Sequence, residues 1–156
     1  MARYLVDTNV LLRAADPHSV QYLVAVAAIS KLTSQSDRIW LAPQVISEFW
    51  VVATRPANVN GFGWSFETVD AAVTRLLNEF PVLPETPNLF AEWHRLVVQY
   101  RVMGKQAHDA RLIAIMKNNG VTHILTFNVN NFGAFDITVV SPDDVVASLG
   151  QAPGTP

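Results

Sequence analysis

The stretch Arg3-Tyr4-Leu5-Val6-Asp7-Thr8-Asn9-Val10-Leu11-Leu12 reads as an apolar strand, a carboxylate that closes it, and the start of a helix. The strand is predicted at 3–6 and the helix from Asn9 to Ala15, where Asp16-Pro17 ends it. The same alternation continues downstream. Residues 19–34 carry Leu23, Val26, Ala27 and Ser30 at helical spacing, and Arg38 to Leu41 reads as a second strand. Pro43 suits the first turn of a helix that runs to about Thr54. The segment from Arg55 to Gly63 holds one Pro and two Gly and is predicted to be a mobile loop. Ser65 then opens a helix with Glu67 and Asp70 near its positive end.

Phe80 to Pro84 is a short extended piece, followed by predicted helices at 88–101 and 105–118. Strands are expected at His123–Thr126 and Thr138–Val140, with a last helix beginning at Ser141-Pro142-Asp143. Strands separated by helices imply parallel βαβ units. The expected fold is therefore α/β, a three-layer α/β/α sandwich with a central, mainly parallel sheet. One domain over residues 1–149 is expected, with a flexible tail at 150–156.

Composition narrows the function. Half of the 156 residues are hydrophobic and 15% are charged, which excludes a disordered chain. A formal net charge of −2 gives no global field for a polyanion, so nucleic acid would be met by a local patch or through metal ions. With no cysteine there is neither a disulfide scaffold nor a thiolate metal site. No apolar stretch is long enough for a membrane span, and Asp7 cuts the first apolar run too short for a secretory leader. A cytoplasmic protein without a membrane segment is expected.

Three acids stand where a core would take an apolar residue. Asp7 closes Tyr4-Leu5-Val6, Glu48 falls within Val45-Ile46-Ser47-Glu48-Phe49-Trp50-Val51-Val52, and Asp109 within Ala107-His108-Asp109-Ala110-Arg111-Leu112-Ile113-Ala114. On its helix Asp109 shares a face with Leu112, Ile113 and Met116, and Glu48 shares one with Val45, Val51 and Val52. Ligands of open α/β sheets bind beyond the carboxyl ends of the strands, where Asp7 and Asn128 fall. Buried charges are paired or bind metal. An all-oxygen set suits Mg²⁺ or Mn²⁺ rather than zinc, and points to metal-dependent phosphodiester hydrolysis. Each acid also has an ordinary structural explanation. Asp7 could cap a helix, Glu48 could pair with Arg13 or Arg111, and Asp109 suits a helix N-terminus.

These segments resemble the PIN-domain ribonucleases, and among them the VapC-type toxins of bacterial toxin–antitoxin pairs. Leu5-Val6-Asp7-Thr8-Asn9-Val10-Leu11-Leu12 is similar to the opening motif and Ser47-Glu48-Phe49 to the second. His108 to Ala114 is similar to the third, and Leu125-Thr126-Phe127-Asn128-Val129-Asn130-Asn131-Phe132 to the closing one. The resemblance implies an endoribonuclease dependent on Mg²⁺ or Mn²⁺, a cognate antitoxin partner and a homodimer. It implies that Asp7, Glu48 and Asp109 hold metal and that Asn128 takes the fourth polar position. Thr8 and Asn9 would orient the Asp7 turn, and Thr126 would brace it. Asn131 stands where the family often has Asp, so the closing motif adds no formal charge.

Lys105, His108 and Arg111 flank Asp109 and are candidates to contact RNA. Of the tryptophans, Trp40 and Trp50 read as core. Trp64, following the loop, is the expected functional aromatic rather than Trp93. A haloacid-dehalogenase-like phosphatase needs a second acid where Asn9 stands. The remaining rival is a degenerate PIN-like module that grips RNA or protein without cutting.

Overall fold

The computed structural model describes residues 2–35 and 37–148, so the tail expected at 150–156 lies outside the described residues. The chain forms four strands and seven α-helices among those residues. They are β1 (Arg3–Val6), α1 (Thr8–Ala14), α2 (Tyr22–Ser34), β2 (Arg38–Trp40), α3 (Pro43–Thr54) and α4 (Phe66–Glu79). There follow α5 (Leu89–Gln99), α6 (Gln106–Asn118), β3 (His123–Leu125), β4 (Thr138–Val140) and α7 (Pro142–Ala147). The sheet order is β2-β1-β3-β4. β1 pairs with β3 and β3 with β4, both in parallel, with Val6 opposite Leu125 and Leu125 opposite Val140. β1 and β3 are far apart in sequence with helices between them, whereas β3 and β4 are joined by a short connection that holds only the 3-10 turn at Val129–Asn131.

By contact density the chain divides into two units, one of Met1–Ile39 with Val121–Pro156, the other of Trp40–Gly120. In the first, Leu5, Val6, Ile124 and Leu125 are fully buried, which is how near-continuous apolar strands of a covered parallel sheet behave. α2 packs on α1 and α7. In the second, α3 packs on α4 and α5 on α6, around Phe49, Leu83, Leu96, Ile113 and Met116. The predicted extended piece is present there too. Leu41 bridges Val82 in parallel, its amide donating to the Pro81 carbonyl at 2.9 Å and its carbonyl accepting from Leu83 N at 2.8 Å.

One expectation fails, for a visible reason. On α2 the predicted stripe faces outward: Leu23 is 77% exposed and Val26 is exposed as well. The helix turns Ala25, Ala28, Lys31 and Leu32 inward instead. Small alanines allow close approach. Lys31 buries its aliphatic stem while its ammonium donates to the Val145 carbonyl at 2.9 Å and to Ser148 Oγ. The segment at 55–63 is a loop, as expected, with hydrogen-bonded turns inside it. It makes a 3-10 turn at Ala57–Val59 and bonds back on itself, Gly61 N to the Pro56 carbonyl at 3.1 Å and Gly63 N to the Arg55 carbonyl at 2.8 Å.

Gly61 is required by that return. A Cβ there would lie 2.0 Å from the Arg55 carbonyl oxygen, a backbone atom that cannot swing aside. Gly61→Ala is expected to lower stability by ~2 kcal/mol or more, measured by chemical denaturation. An unchanged midpoint would show that the return can open without cost.

Candidate active site

The Met1–Ile39 and Val121–Pro156 unit holds Asp7 at the carboxyl end of β1. Its amide donates to the Leu125 carbonyl at 2.9 Å, carrying the β1–β3 pairing one residue past the strand. The backbone then turns into α1, and Asp7 Oδ1 accepts from Thr8 N at 2.8 Å. The structural explanation of Asp7 as a helix cap is therefore correct. It accounts for only one of the two carboxylate oxygens.

The other, Oδ2, accepts from Thr126 Oγ1 at 2.8 Å and from Asn9 Nδ2 at 3.2 Å. Thr126 is fully buried and Asp7 is 7% exposed. The threonine hydroxyl has one proton, given to Asp7, and two lone pairs. One accepts from Asn9 Nδ2 at 3.1 Å and the other from Asn128 N at 3.0 Å. Asn9 completes the ring by accepting at Oδ1 from Phe127 N at 3.0 Å. Every capacity of Thr126 Oγ1 is thus filled, and the orientation of the Asn9 amide follows from its partners. These three donors to Asp7 are neutral, so they aim the carboxylate without cancelling its charge. The Asn128 side chain is exposed, and a 3-10 turn at Val129–Asn131 follows it.

The Trp40–Gly120 unit holds the other two acids. Glu48 lies half-buried on α3 and Asp109 half-buried in the first turn of α6, on the same helix as buried Leu112, Ile113 and Met116. The apolar face predicted for Glu48 is only partly buried, since Val45 is buried but Val51 is exposed. Gln44 ties the two helices. Its amide nitrogen donates to Glu48 Oε1 at 3.1 Å and to the His108 carbonyl at 3.0 Å. Its oxygen accepts from Arg111 Nη1 at 3.2 Å, while Arg111 Nη2 binds Glu85 at 3.0 Å. Gln44 escaped sequence reasoning, although its place four residues before Glu48 was the available signal.

Lys105, His108 and Arg111 are not equivalent. His108 and Arg111 line a cavity of about 700 Å³ together with Glu85, Phe90 and Trp93, and Lys105 is exposed at the start of α6 outside that lining. The two tryptophans differ in their surroundings. Trp64 is half-buried against Phe49 and Phe62, with centroids 6.1 and 5.2 Å away, whereas Trp93 lines the cavity. Trp40 and Trp50 are half-buried rather than core. On α5 the Arg95 guanidinium, hydrogen-bonded to Glu92, holds that carboxyl below its usual range, and slight burial opposes it.

Among the described residues no three His, Cys, Asp or Glu side chains gather in a geometry ready for a metal ion. The chemistry of the donors nonetheless fits a hard divalent cation. In one unit Asp7, and in the other Glu48 and Asp109, offer only oxygen, the donor atom that Mg²⁺ and Mn²⁺ take.

The PIN domain model matches residues 4–136. VapBC-1 from nontypeable Haemophilus influenzae superposes with a TM-score of 0.68 at 17% identity, over 90% of this chain and 98% of that one. VapBC2 from Rickettsia felis bound to a promoter DNA fragment gives 0.66 at 12% identity, over 89% and 98%. Mycobacterium tuberculosis VapC20, a sarcin-ricin loop cleaving toxin, gives 0.64 at 18% identity, over 86% and 96%. No curated protein matches the sequence. The shared architecture is the three-layer α/β/α sandwich with a central parallel sheet that the alternation of strands and helices implied. With the family model running through all three acidic segments, the chain belongs to the PIN-domain family.

Proposed function

We propose that the protein is an endoribonuclease dependent on Mg²⁺ or Mn²⁺ and the toxin of a toxin–antitoxin pair. The observation that carries this reading is the Asp7 network. A buried carboxylate at a strand's carboxyl end has one oxygen spent on a helix cap and the other aimed by Asn9 and Thr126. A cap alone explains only the first. Asp7, Glu48 and Asp109 would hold the metal, and Asn128 would be a fourth polar group at the site. Held by these residues, a divalent ion would supply stabilisation of charge on the phosphodiester and activation of water.

The chain's own residues then have separate tasks. Thr126 fixes the rotamer of Asp7 and, through Asn128 N, the start of the segment that follows β3. Gln44 fixes Glu48 relative to the first turn of α6. His108 and Arg111, one before and two after Asp109, are placed to meet RNA.

RNA as substrate is supported by the similarity to VapC20, a sarcin-ricin loop cleaving toxin. A cognate antitoxin is supported by neighbours solved as VapBC and FitAB assemblies, and the homodimer by family resemblance. The proposed compartment is the cytoplasm, where such a substrate resides. No helix among the described residues is long and apolar enough to cross a membrane.

The second reading, an RNA- or protein-binding PIN module without catalysis, draws on Asn128 and Asn131 at the closing motif. Incubating purified protein and total RNA with Mn²⁺, then mapping cut ends, separates the two. Discrete ends that vanish with Asp7→Asn support the nuclease. Binding without products, whether or not metal is added, supports the module.

A further inference from the structure

The cavity of the Trp40–Gly120 unit has two chemically different sides. Pro87, Leu89, Phe90 and Trp93 make one apolar and aromatic, while Glu85, His108 and Arg111 make the other charged and polar. Phe90 is 72% exposed, so its ring is left open to a ligand. Its centroid lies 5.7 Å from that of Trp93 at an interplanar angle of 38°, and His94 runs nearly parallel to it at 6.2 Å. The indole of Trp93 is fixed by its Nε1 donating to the Ala107 carbonyl at 2.8 Å. Also in the lining, the Arg111 guanidinium is held between Gln44 and Glu85.

A solvent-open aromatic ring is costly to leave exposed and suits a flat apolar face. A held guanidinium beside a carboxylate offers donors and an acceptor side by side. A nucleotide has both complements: a base with a π-face and an amine- and carbonyl-bearing edge, and a phosphate. A volume of about 700 Å³ is ample for one such ligand. A purely apolar protein segment would leave Arg111, Glu85 and His108 without use. A paired base would hide its faces in the stack, so the ligand must be unpaired.

We propose that this cavity is a subsite for one unpaired RNA nucleotide, with the base against Phe90 and Trp93 and its polar edge or phosphate at Arg111. The subsite deepens the nuclease reading and rests on it. His108 and Arg111 belong to the same two turns of α6 as Asp109, so a nucleotide seated here would set which bond of the RNA is presented for cleavage.

The test uses Asp7→Asn protein, which is expected not to cut, and fluorescence anisotropy with a labelled single-stranded RNA. Adding Phe90→Ala is expected to weaken binding roughly tenfold, within the range for loss of one base–aromatic stack. Phe90→Tyr should restore it, and a double-stranded RNA should show less than about a twofold difference. Because Phe90 is exposed, the melting temperature should stay put and serves as the folding control.

Equal RNA affinity with and without Phe90 overturns the subsite and leaves the nuclease reading intact. So does a Phe90→Ala protein that binds RNA normally but sediments as a smaller assembly, since the face would then contact a second copy of the chain. If the Asp7→Asn parent binds no RNA the subsite is also wrong. If wild-type protein additionally fails to cut RNA with Mn²⁺, the nuclease reading falls with it.

Discussion

Asp7→Asn is expected to lower metal-dependent RNA cleavage by on the order of a thousandfold, since a metal's stabilisation of phosphoryl charge is worth several kcal/mol. The substitution keeps size and shape but removes the charge that would hold the ion. It also has a stability cost that can be predicted from the hydrogen bonds. Oδ1 and Oδ2 both act as acceptors, from Thr8 N on one side and from Asn9 and Thr126 on the other. An asparagine has only one oxygen. If it keeps the helix cap, its NH₂ faces two donors; if it flips, the cap is lost. Either way about 1–3 kcal/mol is lost, which a domain of ordinary stability survives. Activity measured with circular dichroism at the same temperature separates the two effects. A folded Asp7→Asn protein with wild-type cleavage would remove Asp7 from the chemistry.

Thr126→Val should produce the largest loss of stability of any near-isosteric change at the site. Valine replaces a hydroxyl that is fully buried and has all three of its hydrogen-bonding capacities in use. Asn9 Nδ2 and Asn128 N would each lose an acceptor, and Asp7 Oδ2 a charge-assisted donor. With buried partners left unpaired, the expected cost is roughly 3 kcal/mol, or about a 10 °C fall in melting temperature for a chain of this size. Thr126→Ser preserves the hydroxyl and loses only a methyl, so it should cost about 1 kcal/mol. A Thr126→Val protein that melts with wild type would mean that water replaces the hydroxyl and that the network does not order Asp7.

What could be read from the chain and what could not follow from where the determining contacts lie. Strands and helices were legible because their signals are local: an apolar run closed by Asp7, Pro43 in a first turn, Ser65 capping at Thr68 N, and Asn119-Gly120 ending α6. The meeting of the Asp7 and Asn128 segments was also legible, because β1 and β3 must end at one edge if both are parallel, whereas the parts of Asn9 and Thr126 came from the family resemblance. The α2 face was misjudged because large apolar residues were weighted above alanine. In fact Ala25 and Ala28 let that helix pack closely while Leu23 stays outside.

That Trp93 rather than Trp64 lines the cavity has a related explanation. Trp64 follows a turn that bonds back onto α3, its amide donating to the Ala53 carbonyl at 2.9 Å, and it is thereby drawn against Phe49. Trp93 looked like one position on an amphipathic helix. Its role depends on the segment at 85–87 and on α6, which no local pattern on α5 reveals. Gln44 shows the same limit, since its three partners lie on α3 and α6.

The most direct measurement is a calorimetric Mn²⁺ titration of wild type beside Asp7→Asn, Glu48→Gln and Asp109→Asn, with each variant first shown to be folded. Wild-type protein should bind the ion, and each substitution should weaken binding at least about tenfold, the effect of losing one charged ligand. Isotherms for all three variants that overlay the wild-type curve would contradict the account.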